Sequence, residues 1–375
     1  LMLPAFADMR ADFGLAPDST EVSRVLTAFF LGLAAGQVIY GPLSDRFGRK
    51  PLLYAGLVVY VISGTAAALM PNLTGLIVCR FFWGLGAAAP RSLALAMVRD
   101  AYGGERMART MSLIMAIFVL IPVFAPGLGA LAMTVVPWRV LLLVPVAAAL
   151  TLAVWATRLP ETLPPERRRS VAPAALLEAV GAVVRNPQTA AFALVITCLF
   201  GIMTSFIGSF EIMLSDVFDQ GSLFTVIFGA LACTLGAGAL LNARLVPRVG
   251  LYPLIRRTAA YLVLMSVTLA AVTLVTDGHP PLWLFCILLA VLLPGMSVLL
   301  PNSNTAAMAP VPHVAGMASA VLGTISTAGG ALLGSQIDRA FDGTVRPFAY
   351  GVALFAAGAG LTIYLFARPP ATPAA

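Results

Sequence analysis

Residues 41–50 read Gly-Pro-Leu-Ser-Asp-Arg-Phe-Gly-Arg-Lys, a polar junction between two long apolar runs, 22–43 and 51–70. Glycines suit a tight reversal between two helices. Asp45 can cap a helix N-terminus or pair with a neighbouring arginine. The junction recurs: Leu43-x-x-Arg46-x-Gly48-x-x-Pro51 matches Leu245-x-x-Arg248-x-Gly250-x-x-Pro253 at an offset of 202. Each copy follows the second apolar run of its half. That placement predicts two halves of the same orientation, as in parallel repeats related by an axis along the membrane normal. Pro247 stands where Asp45 would be, so an acid-based contact at this turn is expected in the first half only.

Outward from the junction, the apolar runs continue. A helix needs about 20 apolar residues to cross the hydrocarbon core. Nine further full candidates lie at about 75–98, 109–134, 138–156, 188–214, 223–243, 257–276, 282–308, 317–337 and 347–367. A partial one opens the chain at about 1–9, and its shortness reads as a first helix that lacks its beginning. Of the 375 residues, 60% are hydrophobic and 10% charged, with a mean hydropathy of +0.95. Soluble domains carry about 25% charged residues, so this chain could not cover a water-facing surface. A soluble enzyme, a nucleic-acid binder and a disordered protein are excluded. Cys79, Cys198, Cys233 and Cys286 sit singly in apolar stretches, which suits packed thiols and neither a disulfide nor a metal site.

Lysine and arginine set the orientation. With the N-terminus placed in the cytoplasm, most of the 23 fall on the cytoplasmic side, and Arg10, Arg24, Arg139, Arg339 and Arg346 on the other. Only Arg80 and Arg91 lie within spans. The +7 net charge thus anchors loops against an anionic leaflet, and no nucleic-acid partner is needed. The longest polar stretch, 157–188, holds Arg-Leu-Pro-Glu-Thr-Leu-Pro-Pro-Glu-Arg-Arg-Arg and then a weakly amphipathic segment, 174–185. The expected organisation is a six-helix bundle over 1–156 with its first helix incomplete, a cytoplasmic linker over 157–187, a second six-helix bundle over 188–367 and a cytoplasmic tail over 368–375.

The junction at Gly41 to Lys50 resembles the loop 2–3 signature of the major facilitator superfamily. Arg80-Phe-Phe-Trp83-Gly84-Leu-Gly86-Ala-Ala resembles the superfamily's helix 4 motif in drug/proton antiporters, and Ala125-Pro126-Gly127-Leu128-Gly129 its helix 5 antiporter motif. The phrases LMLPAF, GQVIYGPLSDRFGRKP, LNARLV and LLPNSNTAAMAP are similar to the bicyclomycin/chloramphenicol-resistance subfamily of bacterial multidrug exporters. The resemblance spans the chain. It departs in three places: Trp83 where the motif usually has Gln, Arg91 where relatives carry a small or apolar residue, and an Asp that would lie upstream of Leu1. The resemblance implies an all-α membrane protein of the major facilitator fold with twelve helices. It also implies a conformational latch at Gly41, Asp45, Arg46, Gly48 and Arg49, a role to be weighed against simple positive-inside anchoring.

Arg80 and Arg91 are eleven residues apart in one span, within about 20° of the same helix face. They line a stripe that faces a cavity, tuning a proton site or repelling cationic substrates, or else each pairs locally or snorkels. Glu211 is the one acid well placed inside an apolar span, either a proton carrier with Arg80 or an outer-end carboxylate near Asp216 and Asp219. Pro126, Gly127 and Gly129 bend and seal the fifth span. Asn302, Ser303 and Asn304 follow Pro294 and Pro301, and they hydrogen-bond substrate or satisfy kinked backbone. Trp83 offers an aromatic wall, Phe82 a wall or a packing side chain. The substrate cavity is therefore assigned to Trp83, Arg91, Asn302 and Asn304.

The expected function is secondary efflux of small drug-like molecules in exchange for protons, from the bacterial inner membrane with both termini cytoplasmic. The alternative is a facilitator or exporter of a small metabolite such as an amino acid or sugar. No cofactor and no metal are expected, the partners are substrate, protons and lipid, and the chain is taken as a monomer. Two histidines, His279 and His313, lie far apart, and no HExxH, GxSxG or P-loop pattern occurs, so no enzyme is read here.

Overall fold

A computed structural model describes residues 2–102, 106–107, 110, 113–114, 125, 127–164, 166, 173–311 and 315–367. The described residues fold into helices joined by short turns. Ten helices among them are long and apolar enough to cross a membrane, and they match ten of the eleven full runs read from hydropathy. The eleventh, 109–134, lies largely outside the described residues. The chain divides into two compact units, Leu1–Glu178 and Ala179–Ala375.

In the first unit a short helix α1 (Phe6–Asp12) precedes α2 (Arg24–Phe47), α3 (Arg49–Leu69), α4 (Leu73–Ala101) and α5 (Leu143–Ala156). Here α4 packs along both α2 and α3, and α3 also meets α5. The seam between α2 and α4 is made by two glycines. A Cβ on Gly32 would overlap the Phe81 carbonyl oxygen, and one on Gly84 would overlap the Phe29 carbonyl oxygen. Small residues let helix backbones meet in this way inside a membrane, where packing replaces the hydrophobic drive. Local capping sets the helix ends. Asn72 accepts from Gly75 N at 2.7 Å to start α4. Arg139 donates to the Met70 carbonyl at 2.7 Å at the end of α3, beside Trp138, whose indole N–H reaches Asp12 at 2.7 Å.

The helix α6 (Pro173–Arg185) spans the division between the units and coincides with the amphipathic segment of the polar stretch. The second unit continues with α7 (Pro187–Ile212), α8 (Phe224–Val249), α9 (Leu251–Val275), α10 (Leu282–Met308), α11 (Ala315–Arg339) and α12 (Arg346–Phe366). Here α8 packs on α10, α10 on α9 and α9 on α12, while α7 meets α10, α11 and α12. The sequence repeat is thus matched by a packing repeat: the second and fourth helices of each half touch, as do the third and fourth. Asn186 starts α7 by accepting from Gln188 N and Thr189 N, with Pro187 at the first helical position, where its missing N–H costs nothing. Outward side chains are large and apolar, Val275 being 86% exposed and Leu240 70%. Such a surface is stable against lipid tails and not against water.

Candidate functional site

The junction read first is the best-connected polar site in the first unit. Gly48 ends α2 with φ +101° and ψ 159°, a region essentially reserved for glycine. The reversal places Arg49 at the start of α3, where it turns back over the end of α2. Its Nη1 reaches Asp45 Oδ1 at 2.6 Å and donates to Ser44 Oγ at 2.6 Å. Its Nε donates to Asp100 Oδ2 at 2.9 Å, so one guanidinium ties α2, α3 and the end of α4 together. Glu161, from the polar stretch, accepts the backbone N–H groups of Arg49 at 2.9 Å and Lys50 at 3.1 Å, sitting on the positive end of the α3 dipole. Partial burial works to raise the Glu161 pKa, but backbone N–H donors from Leu163, Arg49, Lys50 and Thr162 outweigh it and hold the carboxyl below its ordinary range.

Two residues assigned to the latch stand outside this network. Gly41 lies inside α2 with open space where its Cβ would be, so the reversal needs Gly48 alone. Arg46 is exposed and lies over the ring of Phe47 at 5.0 Å, because the side chain that faces Arg49, four residues before it, is Asp45. In the second unit the turn is kept and the network is not. Gly250 has φ +84° and ψ 159°, Pro247 lies within α8, Leu251 takes the place of Arg49, and Arg248 is exposed.

The second site lies within α4. Arg80 is 7% exposed, and its guanidinium carbon sits 4.4 Å from the Phe29 ring centroid and 4.9 Å from that of Trp83. Its Nε donates to the Val25 carbonyl at 3.5 Å. No carboxylate among the described residues pairs with it. Tyr60 of α3 meets the Trp83 ring edge-on at 5.5 Å, and the buried Trp83 Nε1 has no partner in hydrogen-bond geometry. Arg80 and Trp83, chosen separately from the sequence, are therefore one cluster. Arg91 shares the helix but is exposed, so the two arginines do not share one environment. Phe82 points outward and takes no part in the cluster.

Among the described residues of the second unit, two acids are buried where the sequence offered one. Glu211, on α7, is 6% exposed. Asp338, on α11, is 4% exposed, and its Oδ1 accepts from Ser205 Oγ at 3.0 Å and Ser209 Oγ at 2.5 Å, both on α7. Glu211 is thus not the one acid inside a span. The apolar run was ended at 337, whereas α11 continues to Arg339 and carries Asp338 into the packed surface of α7. The signal available in the sequence was the pair Ser205 and Ser209, four apart on one helix face.

Asn302 is buried on α10 and donates to Asn242 Oδ1 of α8 at 2.7 Å and to the Val298 carbonyl at 2.8 Å. Asn304 is exposed and bonds only within its helix, to the Leu300 carbonyl at 3.2 Å. The two asparagines therefore do not form one polar cluster. Their helix carries Pro294 and Pro301, and Ser303 Oγ is buried without a partner. Gly127 and Gly129 are helical, and Pro126 lies outside the described residues. The four cysteines are free, with Cys198 buried but Cys233 exposed, so not every thiol is packed. Among the described residues, no cluster of His, Cys, Asp or Glu could hold a metal ion.

Long apolar helices, charges gathered at helix junctions and a few ionisable groups held inside spans define a multi-pass membrane protein. The chain belongs to the Major Facilitator Superfamily, whose sequence profile matches residues 1–335. It is 26% identical over 372 residues to a bicyclomycin resistance protein homolog of Haemophilus influenzae, covering 98% of this chain and 90% of the relative. It is 26% identical over 341 residues to multidrug resistance protein D of Escherichia coli, covering 89% and 83%. Among solved structures, the xylose transporter XylE from E. coli, in a partially occluded inward-open conformation, matches with a TM-score of 0.76 at 12% identity. The match covers 98% of this chain and 92% of that one. At that identity the likeness concerns the fold.

Proposed function

We propose that the chain is a secondary exporter that moves small drug-like molecules out across the bacterial inner membrane in exchange for protons, by alternating access. The observation that carries this reading is Arg80, a cation buried inside a spanning helix with aromatic rings around it and no acidic partner among the described residues. Such a charge is costly in a membrane and is retained where it acts on a translocated ion or solute. The drug side of the reading is supported by relatives named for bicyclomycin and multidrug resistance.

In this scheme the two six-helix halves, 1–156 and 188–367, rock about a substrate cavity near the bilayer midplane. Both termini, the linker and the tail are cytoplasmic, and one chain suffices. Trp83, Arg91, Asn302 and Asn304 line the substrate path. Glu211 carries the proton, Asp338 is a second buried carboxylate of the same unit, and Arg80 biases the cycle through its charge. Asp45, Gly48 and Arg49 hold one state of the cycle. Pro126, Gly127 and Gly129 seal the fifth span.

The test uses everted membrane vesicles energised by respiration, with interior acidity read by a quenched dye. Addition of a transported antibiotic is expected to release protons. Arg80→Ala, Glu211→Gln and Asp338→Asn are each expected to reduce that release. A panel of neutral, cationic and anionic antibiotics that releases no protons from vesicles with confirmed expression would count against antiport and favour a metabolite facilitator.

A further inference from the structure

The cluster around Arg80 is unusual in what it leaves unbonded. The guanidinium lies against the faces of Phe29 and Trp83, which interact with its charge but accept none of its N–H groups in line. Its single hydrogen bond among the described residues is long and uses Nε. The two terminal nitrogens, the fork that matches a carboxylate, are uncommitted. The indole N–H of Trp83, three residues on, is buried and makes no hydrogen bond of good geometry, with the Tyr60 hydroxyl as a polar neighbour. Among the described residues the guanidinium has no anion, and its surroundings are the rings of Phe29 and Trp83 and the Val25 carbonyl, with the Tyr60 side chain packed edge-on against Trp83.

The cluster is also held in shape. Phe29 precedes Gly32 by one turn and Arg80 precedes Gly84 by one turn, and these glycines bring α2 and α4 into backbone contact. The Phe29 carbonyl that seats Gly84 belongs to the same residue whose ring covers Arg80. The spacing between ring and guanidinium is therefore fixed by main chain, which is how binding sites are preorganised.

We propose that Arg80, with the Trp83 indole N–H, is a binding site for the carboxylate of an organic monoanion, an amphiphilic weak acid whose body is a hydrophobic ring. A buried, singly charged, forked donor flanked by aromatic faces fits one carboxylate. A phosphate or sulfate ester dianion brings a second charge for which the cluster holds no second cation, and a cationic drug meets repulsion. The inference rests on the carrier reading above and names a substrate class for it.

The test is isothermal titration of the purified full chain in detergent, near neutral pH, with 2-naphthoate and with its uncharged analogue 2-naphthamide. The expected result is saturable naphthoate binding, with the amide about tenfold weaker or worse. Arg80→Gln is expected to abolish that preference, and Arg80→Lys to retain part of it, since the charge stays and the fork is lost. Equal binding of acid and amide, no naphthoate binding, or an acid preference that survives Arg80→Gln overturns the proposal. Should Arg80→Gln melt before it can be titrated, Trp83→Phe removes the N–H and keeps a ring on the guanidinium. Weaker naphthoate binding then supports the site and unchanged binding overturns it. No gradient is involved, so a chain that binds naphthoate through Arg80 and moves no protons loses the antiport reading while keeping this one.

Discussion

Gly48 and Gly250 occupy the same turn of their respective halves, 202 residues apart in sequence, with φ of +101° and +84° and the same ψ of 159°. Each ends the second helix of its half and leads directly into the third. A side chain cannot adopt this backbone without strain of about 1–3 kcal/mol. Gly48→Ala and Gly250→Ala are each expected to lower Tm in detergent, whereas the polar network exists only around the first. Unchanged melting in either variant would show that the turn relaxes to another conformation.

Among the described residues, Arg49 alone connects Asp45, Ser44 and Asp100. Arg49→Ala leaves these groups facing one another and is expected to cost about 1–3 kcal/mol, discounted because Asp45 is partly solvated. Arg49→Lys keeps the charge but loses the planar fork whose Nε and Nη1 reach different partners. A double-mutant cycle with Asp100→Asn, read by thermal unfolding, is expected to be clearly non-additive. Additive losses would mean that the ion pair contributes nothing of its own.

Glu161 ties stability to pH. Its folded pKa lies below its ordinary value, so its ionised form is favoured by folding. That contribution is complete above the unfolded pKa and fades as pH falls through it towards the lowered folded value. Glu161→Gln is therefore expected to lower Tm at neutral pH, with the gap from the unmodified chain closing in acid below about pH 4.5. A gap that widens on acidification would contradict the assigned direction.

Two glycines of α2 make a matched pair of controls. Gly32→Ala places a methyl onto the Phe81 carbonyl oxygen, whereas Gly41→Ala points into open space. The first is expected to cost several kcal/mol, as overpacking against backbone does (about 1–3 or more), and to reduce recovery of folded protein. The second is expected to be neutral or to add about 0.5–1 kcal/mol, since alanine is the better helix former. Size-exclusion profiles of the two variants, expressed side by side, check both.

The spans were legible because hydropathy over some twenty residues is a bulk property that the membrane reads directly. The turn was legible because glycine and its repeat are local. What stayed hidden came from pairings between distant segments. Glu161 reaches Arg49 across 112 residues, and nothing in Pro-Glu-Thr-Leu announces a helix to be capped. Asp338 sits beside Arg339 at a helix end, which in composition looks like a loop, and its contacts with the serines of α7 across the seam make it an interior residue. Arg46 and Gly41 were over-read for the complementary reason: a motif names a stretch, and only some of its letters touch anything. Arg80 and Trp83 were both singled out, but their contact through Phe29 of another helix was not derivable from spacing.

The glycine seam between α2 and α4 also fixes what kind of machine the first unit can be. Where carbonyl oxygen rests on bare Cα there is no side chain left to slide, flip or swap rotamer. The two helices consequently share their degrees of freedom and behave mechanically as one beam. Whatever displacement α2 undergoes, α4 inherits, and Arg80 travels with Phe29 instead of past it. Adaptation towards new solutes is then confined to residues lining that beam, because the joint itself accepts no additional atom.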